Sequence, residues 1–401
     1  EWSSGKVVLN SDHADASWFE NMSIEQFVIA GGVTNIKEGV LSGIQGQLYI
    51  DCNNTRASWF NDISFDEIVI SSNVTQVAER LFAGYSQKLI IESNCFDKSW
   101  VDYGDISEIV LGNSVTSIKP DTFSEYNGVL TLDCREIKSR FLDESNITQI
   151  NIGSGVQHIA NNAFILCDNL QSFKGKYTSN DGRYIVVDRE LICYAPAAPQ
   201  ECVVYDDIET IGEGAFSGLN IRSVTLSDSV KSIGPSAFSD CVNLQQINLG
   251  HGLETINEKS FVRCLSLKEV VLPARVKTIG EGAFENCTSL AKVEFGGSLK
   301  NIGKRAFAYC DLEQVTLLDN VNQIGNEAFV GNADLVSLKI GKGIQSIGYD
   351  AFRLCNNELA ITCISSYPPS ISVLGITRDT RVYVPKDYVK TYKKSSYWEK
   401  Y

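Results

Sequence analysis

The chain has 401 residues, 43% of them hydrophobic, and a formal net charge of −14 from 35 basic and 49 acidic side chains. That is enough apolar material for a sizeable core, and no run of 18 or more apolar residues offers a membrane span. The charge is lopsided: residues 1–150 hold 22 acidic and 10 basic side chains, which argues against nucleic acid, where affinity comes chiefly from cations meeting phosphates.

The chain opens on Glu1-Trp2-Ser3-Ser4, without an initiator Met or a signal-peptide pattern. That start is expected of a mature or trimmed chain whose export signal, if any, has been removed. From there to about residue 170 the sequence repeats with a period of 41, in Trp18, Trp59, Trp100 and Phe141. Ile29, Ile70, Leu111 and Ile152 keep the same spacing, as do Leu41, Phe82, Phe123 and Phe164. Each period holds two strand-like phrases, such as "LYID" (48–51) and "EIVI" (67–70), and so predicts two coils. One coil keeps a V-x-x-I…F phrase ("VTSIKPDTF", 115–123), and a shorter one uses "SWF".

The rhythm breaks at "GKYTSNDGRYIVVDRELICYAPAAPQE" (175–201). The turn chemistry of "NDGR" between β-prone runs predicts a β-hairpin with a Pro/Ala-rich exit. Cys193 and Cys202, nine residues apart, are the better disulfide candidates among the twelve cysteines.

Six units follow: 221–243, 244–266, 267–289, 290–311, 312–334 and 335–357. They share L-x-x-I-x-L-x-x-x-V-x-x-I-G-x-x-A-F-x-x-C-x-x, carried in the third by Leu267, Val270, Leu272, Val276, Ile279, Ala283, Phe284 and Cys287. The L-x-x-I-x-L start alternates as a short strand with one buried face does. In I-G-x-x-A-F-x-x-C the apolar residues are spaced by three or four, which predicts a single helical turn or 3₁₀ segment. One unit is too small to bury its own apolar edge, so coils must stack, and each must show its neighbours the same internal contour. Phe238, Phe261, Phe284, Phe307, Phe329 and Phe352 are the expected spine. Cys241, Cys264, Cys287 and Cys310, spaced by 23, read as one internal stack of small apolar side chains rather than a disulfide framework. There is no CxxC pair or Cys/His cluster, so no metal is expected. After Cys363 a strand and a short basic, aromatic helix are expected to cap the last coil.

The repeated unit resembles the BspA-like class of leucine-rich repeats, found in secreted and surface proteins of gut and oral bacteria and of some parasitic protists. The likeness is strongest over 221–357, good over 106–170 and more degenerate over 7–105. Two further pieces are similar to habits of Bacteroides-type members: "DGRYIVVDRELICYAPA" (182–198) and "VYVPKDYVKTYKKSSYW" (382–398). The resemblance implies a leucine-rich repeat solenoid, curved and right-handed, with a parallel β-sheet on the concave face and short helical or 3₁₀ turns and loops on the convex side. It also implies adhesion or binding of a host or microbial macromolecule, without catalysis, outside or on the surface of the cell. The 41-residue double coils depart from the family pattern. The expected organisation is a solenoid half over 1–170, a hairpin insertion over 171–207, a second solenoid half over 208–363 and a cap over 364–401.

Little in the chain suggests chemistry. His13, His158 and His251 have no nucleophile elbow beside them, and no P-loop, G-x-S-x-G or dinucleotide fingerprint occurs. Asp66/Glu67 and Asp143/Glu144 are adjacent carboxylates that a strand would point to opposite faces, and no calcium loop is present. No cofactor is expected. The expected partner is a protein or a glycan, met by a monomer. In L-x-x-I-x-L the residues flanking the central apolar one should point outward from the concave sheet. That gives Ser223 and Thr225, then Gln246, Asn248, Glu269, Val271, Lys292, Glu294, Gln314, Thr316, Ser337 and Lys339 as candidate binding residues. Earlier coils offer Glu67 and Val69, Glu108 and Val110, Gln149 and Asn151. Trp18, Trp59 and Trp100 are the glycan-stacking candidates, with burial in the shorter coils as the competing expectation. Tyr388, Tyr392, Tyr397 and Trp398 are read as cap packing.

Overall fold

The structure, a computed structural model, describes every residue except 1, 4, 102–105, 143–144, 165–166, 168, 196, 198–199, 206, 378–379 and 401. It is a parallel-strand β-solenoid of about 16 turns. The chain forms two compact units, Glu1–Ile185 with Ala195–Ala198 and Val186–Tyr194 with Pro199–Tyr401.

In the first unit a ten-stranded sheet takes one four-residue strand from each coil, from Lys6–Leu9 through Gln26–Ile29 and Gln47–Ile50 to Ser172–Gly175. These strands are parallel; the opening Trp2–Ser3 alone pairs antiparallel, with Lys6 and Val7. Register runs Lys6↔Gln26↔Gln47↔Glu67↔Lys88↔Glu108, so coils of 20 and 21 residues alternate and produce the 41-residue period. Side chains alternate along each strand, and the second and fourth face inward: Phe27, Ile29, Leu48, Ile50, Ile68 and Ile70 are all fully buried. The "SWF" phrases form 3₁₀ turns at Ala16–Trp18, Ala57–Phe60 and Lys98–Trp100, the first and third capped by Asp15 and Asp97 side chains accepting from Ser17 and Ser99 N–H. Aromatic rings here meet edge to face, Phe60 on Phe82 at 5.6 Å and 75° and Phe96 on Trp100 at 5.8 Å and 86°.

The second unit carries front strands at the L-x-x-I-x-L phrases, such as Gln246–Asn248, Glu269–Val271 and Gln314–Leu317. The helical turn expected at I-G-x-x-A-F does not form. Instead the Ile closes a two-residue parallel strand, and these line up as a second, ten-stranded sheet that includes Thr255–Ile256, Thr278–Ile279 and Asn301–Ile302. The residue before Ala-Phe and the one before Cys are then left-handed, as in Lys259 (φ 53°) and Arg263 (φ 60°). Such a conformation ends any right-handed helix. It also turns alternate N–H groups toward the next coil: Lys259 donates to Glu281 O at 2.8 Å, Phe261 to Ala283 O at 2.7 Å and Arg263 to Glu285 O at 2.9 Å. The Gly after the Ile is required by this closeness, since a Cβ on Gly303 would come within 2.6 Å of the Gly280 backbone.

Inside, the expected Phe spine is present. Rings of Phe216, Phe238, Phe261, Phe284, Phe307, Phe329 and Phe352 stack with centroids 4.7 to 5.8 Å apart and interplanar angles of 18° or less. Burying each ring contributes about 2–3 kcal/mol. The Cys column is more than filler: Cys264 Sγ donates to Phe238 O at 3.2 Å, Cys287 to Phe261 O at 3.0 Å and Cys310 to Phe284 O at 3.1 Å. Each thiol thus satisfies the carbonyl of the preceding coil's Phe. Where the sequence has Asn332 instead of Cys, its amide donates to Phe307 O at 2.8 Å. Burial pushes the Cys241 thiol up to about 12, which keeps it a protonated donor.

The hairpin in the 175–201 stretch lies later than the turn chemistry predicted. Its strands are Tyr184–Val187 and Glu190–Tyr194, turned by Asp188 and Arg189, both left-handed. "NDGR" makes a separate turn, in which Asp181 Oδ1 accepts from Arg183 N–H at 3.1 Å. Cys193 and Cys202 are both buried, each in a strand. At the other end Arg381–Tyr383 pairs in parallel with Ala360–Cys363 and leads to the helix Val389–Lys393. Tyr392 and Trp398 are buried there and bond Ser365 O and Pro369 O, whereas Tyr388 and Tyr397 stay exposed.

Candidate functional site

On the front strands of the second unit the residues flanking the central apolar one point outward. Gln246, Asn248, Glu269, Val271, Lys292, Glu294, Gln314, Thr316, Ser337 and Lys339 are all exposed, and Ser223 is half-buried beside exposed Thr225. Parallel register sets them in two rows, Glu269 beside Lys292 and Val271 beside Glu294, Gln314 beside Ser337 and Thr316 beside Lys339. Lys292 Nζ pairs with Glu294 along its own strand at 2.6 Å, and that carboxylate raises the lysine's pKa. The front ladder lapses between Lys292–Glu294 and Gln314–Leu317, which belong to separate sheets. A recess of about 470 Å³ lies there, lined by Lys292, Glu294, Phe295, Glu313, Gln314 and Thr316 among others. Four predicted residues are therefore gathered around one hollow; Phe295 and Glu313 were not foreseen, because the lapse in pairing has no sequence signature.

The front face of the first unit differs. Its first row includes Gln26, Gln47, Glu67 and Lys88, joined as a ladder: Gln26 Nε2 donates to Gln47 Oε1 at 2.6 Å, Gln47 Nε2 to Glu67 Oε1 at 2.6 Å, and Lys88 pairs with Glu67 at 2.9 Å. Its second row is Val8, Val28, Tyr49, Val69, Ile90 and Val110, adjacent in register on six successive strands. Beyond it, Asp51 accepts from Asn73 Nδ2 at 3.0 Å, Glu92 from Ser114 N–H at 2.9 Å and Asp133 from Gly155 N–H at 2.7 Å. Much of the acidic excess of residues 1–150 thus holds the turn of the next coil. Reading coil by coil singled out only Val69 and Val110 of the apolar row. The signal that would have found the rest is the alternating spacing of 20 and 21.

Trp18, Trp59 and Trp100 form no ladder of rings on the surface, and burial in the short coils, the other expectation, holds for Trp59 and Trp100. Trp59 and Trp100 are 1% and 5% exposed, because the short coils tuck these rings into the space that longer coils fill with backbone; only Trp18, at 50%, faces water. His13 and His158 are exposed, and His251 Nδ1 sits 2.9 Å from Asp228 on the open surface. Asp66 accepts from Gly46 N–H, while Asp143 and Glu144 lie outside the described residues. Among the described residues no three metal-ligating side chains converge, and no helix is long and apolar enough to cross a membrane.

This repeat, with its front strand, Ile-Gly close approach and Phe spine, matches the profile of the BspA-type leucine-rich repeat region, in six copies, over residues 12–125, 89–181, 193–310 and 254–368. The chain belongs to that family. Among solved structures, this BspA-type repeat protein is similar to a leucine-rich repeat protein from Bacteroides ovatus, at 19% identity and a TM-score of 0.52 over 91% of this chain and 84% of that one. The pneumococcal vaccine antigen PcpA gives 18% identity and a TM-score of 0.48 over 90% and 89% of the two chains. A leucine-rich cell surface protein from Faecalibacterium prausnitzii gives 19% and 0.43 over 83% and 87%. At such identities the likeness concerns the fold. No curated protein matches the chain.

Proposed function

We propose that this BspA-type chain is a non-enzymatic recognition protein, exported or held at the cell surface, that binds a macromolecule through the outward face of its front strands. The observation that carries the reading is the paired rows Gln246/Asn248 to Ser337/Lys339: exposed side chains repeated on every coil while the core beneath hardly varies. Residues that the fold does not need, set at fixed spacing on a packed scaffold, are what a binding surface requires. Family membership supports the location and the absence of catalysis. A protein partner is favoured over a glycan, because two of the three Trp rings that a sugar would stack on are core residues.

The test is binding of the purified chain to a panel of extracellular matrix proteins, mucins and glycan arrays by surface plasmon resonance. A protein ligand is expected, lost in the Lys292→Ala/Gln314→Ala/Lys339→Ala chain without a change in melting temperature. Silence across the whole panel would overturn the reading.

A further inference from the structure

We propose that the front face of the first unit docks a cationic, apolar segment of a partner protein. The proposal adds a second contact surface, in the first unit, to the recognition function above and rests on that reading. Val8, Val28, Tyr49, Val69, Ile90 and Val110 form one unbroken row on the solvent side of six neighbouring strands. At the roughly 4.8 Å separation of strands the row is about 24 Å long. Four of these side chains are half-buried, and an apolar strip rimmed by polar residues is a shape that interaction surfaces use. Val69 and Val110 are only 8% and 9% exposed, so the strip is flat and packed rather than a set of loose side chains.

Charge says what fits it. One border, Lys6, Gln26, Gln47, Glu67, Lys88 and Glu108, balances its charges, whereas the other carries Asp51, Glu92 and Asp133 and no cation. Lys88, on the first border, is already paired with Glu67 at 2.9 Å. The surrounding residues 1–150 hold 22 acidic against 10 basic side chains. Such a field attracts a partner whose apolar residues are edged by Lys and Arg, and it repels anionic lipid and phosphate backbones. Asp51, Glu92 and Asp133 stand on every second coil, so about 9.6 Å apart. Residues i and i+7 of an α-helix are about 10.5 Å apart. A basic amphipathic helix laid along the row would therefore meet the carboxylates nearly in step while its apolar face covers the valines.

The experiment titrates the full chain against a fluorescein-labelled synthetic helix with leucine on one face and lysine on the other. Its glutamate counterpart, a scrambled leucine–lysine peptide and phosphatidylglycerol vesicles serve as the other arms. The leucine–lysine helix should bind, weaken as salt is raised, and lose about tenfold in affinity in the Tyr49→Lys/Ile90→Lys chain. The glutamate helix and the vesicles should not bind. Should the paired lysines unfold the chain, Ile90→Thr, which keeps the strand-forming shape, should still weaken binding at an unchanged melting temperature. Equal binding of the scrambled peptide, or full binding by the altered row, overturns the proposal. If Lys292→Ala/Gln314→Ala removes binding and the first-unit variants do not, recognition stands and this surface falls.

Discussion

Coils of 20 and 21 residues in the first unit share one continuous backbone ladder, whereas in the second, with coils of mostly 22 and 23, the front strands fall into three short sheets and the two-residue rear strands and left-handed turns join the coils between them. Two or three extra residues per coil are enough for the rear strand. In the first unit a rear pair forms next to the one coil that lengthens, at Gln149↔Ser172: His158–Ile159 lies in that coil and pairs with Glu136–Ile137 of the 20-residue coil before it. The interior follows suit. Near-equal coils bring identical rings over each other, as Phe261 on Phe284 at 5.0 Å and 5° shows. Alternating coils offset them, so Phe60 and Phe82 of successive coils meet at 75°. Coil length, more than side-chain identity, decides whether aromatic residues pile up or interlock.

Substitutions can break or sharpen that contrast. Phe284→Ala should cost about 4 kcal/mol by chemical denaturation, since the ring is fully buried between two others. An equal loss at Phe60, which has an edge-on neighbour, would mean that stacking adds nothing to burial. In the first unit Trp59→Ala should lose about 3–5 kcal/mol, and exposed Trp18→Ala less than about 0.5 kcal/mol. Asn332→Ala takes the side-chain donor from Phe307 O and the acceptor from Leu312 N–H, while Phe329 O keeps Cys355 Sγ, and should lower stability by about 2–3 kcal/mol, with Asn332→Cys recovering part of it. Arg305 links Glu285 at 2.7 Å and Glu327 at 2.6 Å across three coils, and Arg305→Met should cost about 1 kcal/mol in the urea midpoint. Smallest is an effect of pH. Hydrogen bonds from Lys277 and Lys231 lower the pKa values of Glu254 and Glu209, so folding there releases protons. The stability they add is present above the unfolded glutamate value near pH 4.3 and lost as pH falls through the lower folded value. Melting followed from about pH 6 to about pH 3 should decline slightly less steeply in Glu254→Gln.

Much of this was legible from spacing. Phe238 to Phe352 recur at near-equal intervals because each must lie over the last, and the front strands announce themselves by alternation. The rear strands did not. A two-residue strand such as Thr278–Ile279 has no period of its own, and the three-and-four spacing of Ile279, Ala283, Phe284 and Cys287 imitates a helix. Left-handed backbone at Lys259 or Arg305 is equally silent, because nothing but Gly or Asn advertises it in sequence. The outward rows were foreseen where the strand pattern was strong. Their grouping was not: the recess at Lys292 and Gln314 depends on a lapse in pairing, and the apolar row of the first unit emerges only when the 20 and 21 spacing is carried through every coil.

The left-handed turns leave this solenoid room for improvement. Lys259, Arg263 and Leu354 all hold side chains where an L-residue is strained by up to about 1–2 kcal/mol, and all three are exposed, away from the Phe spine. Gly282 and Gly331 already occupy equivalent places in their own coils at no such cost. Glycine grafted at a few of the remaining turns would raise heat resistance from the rim inward, without touching a single interior ring.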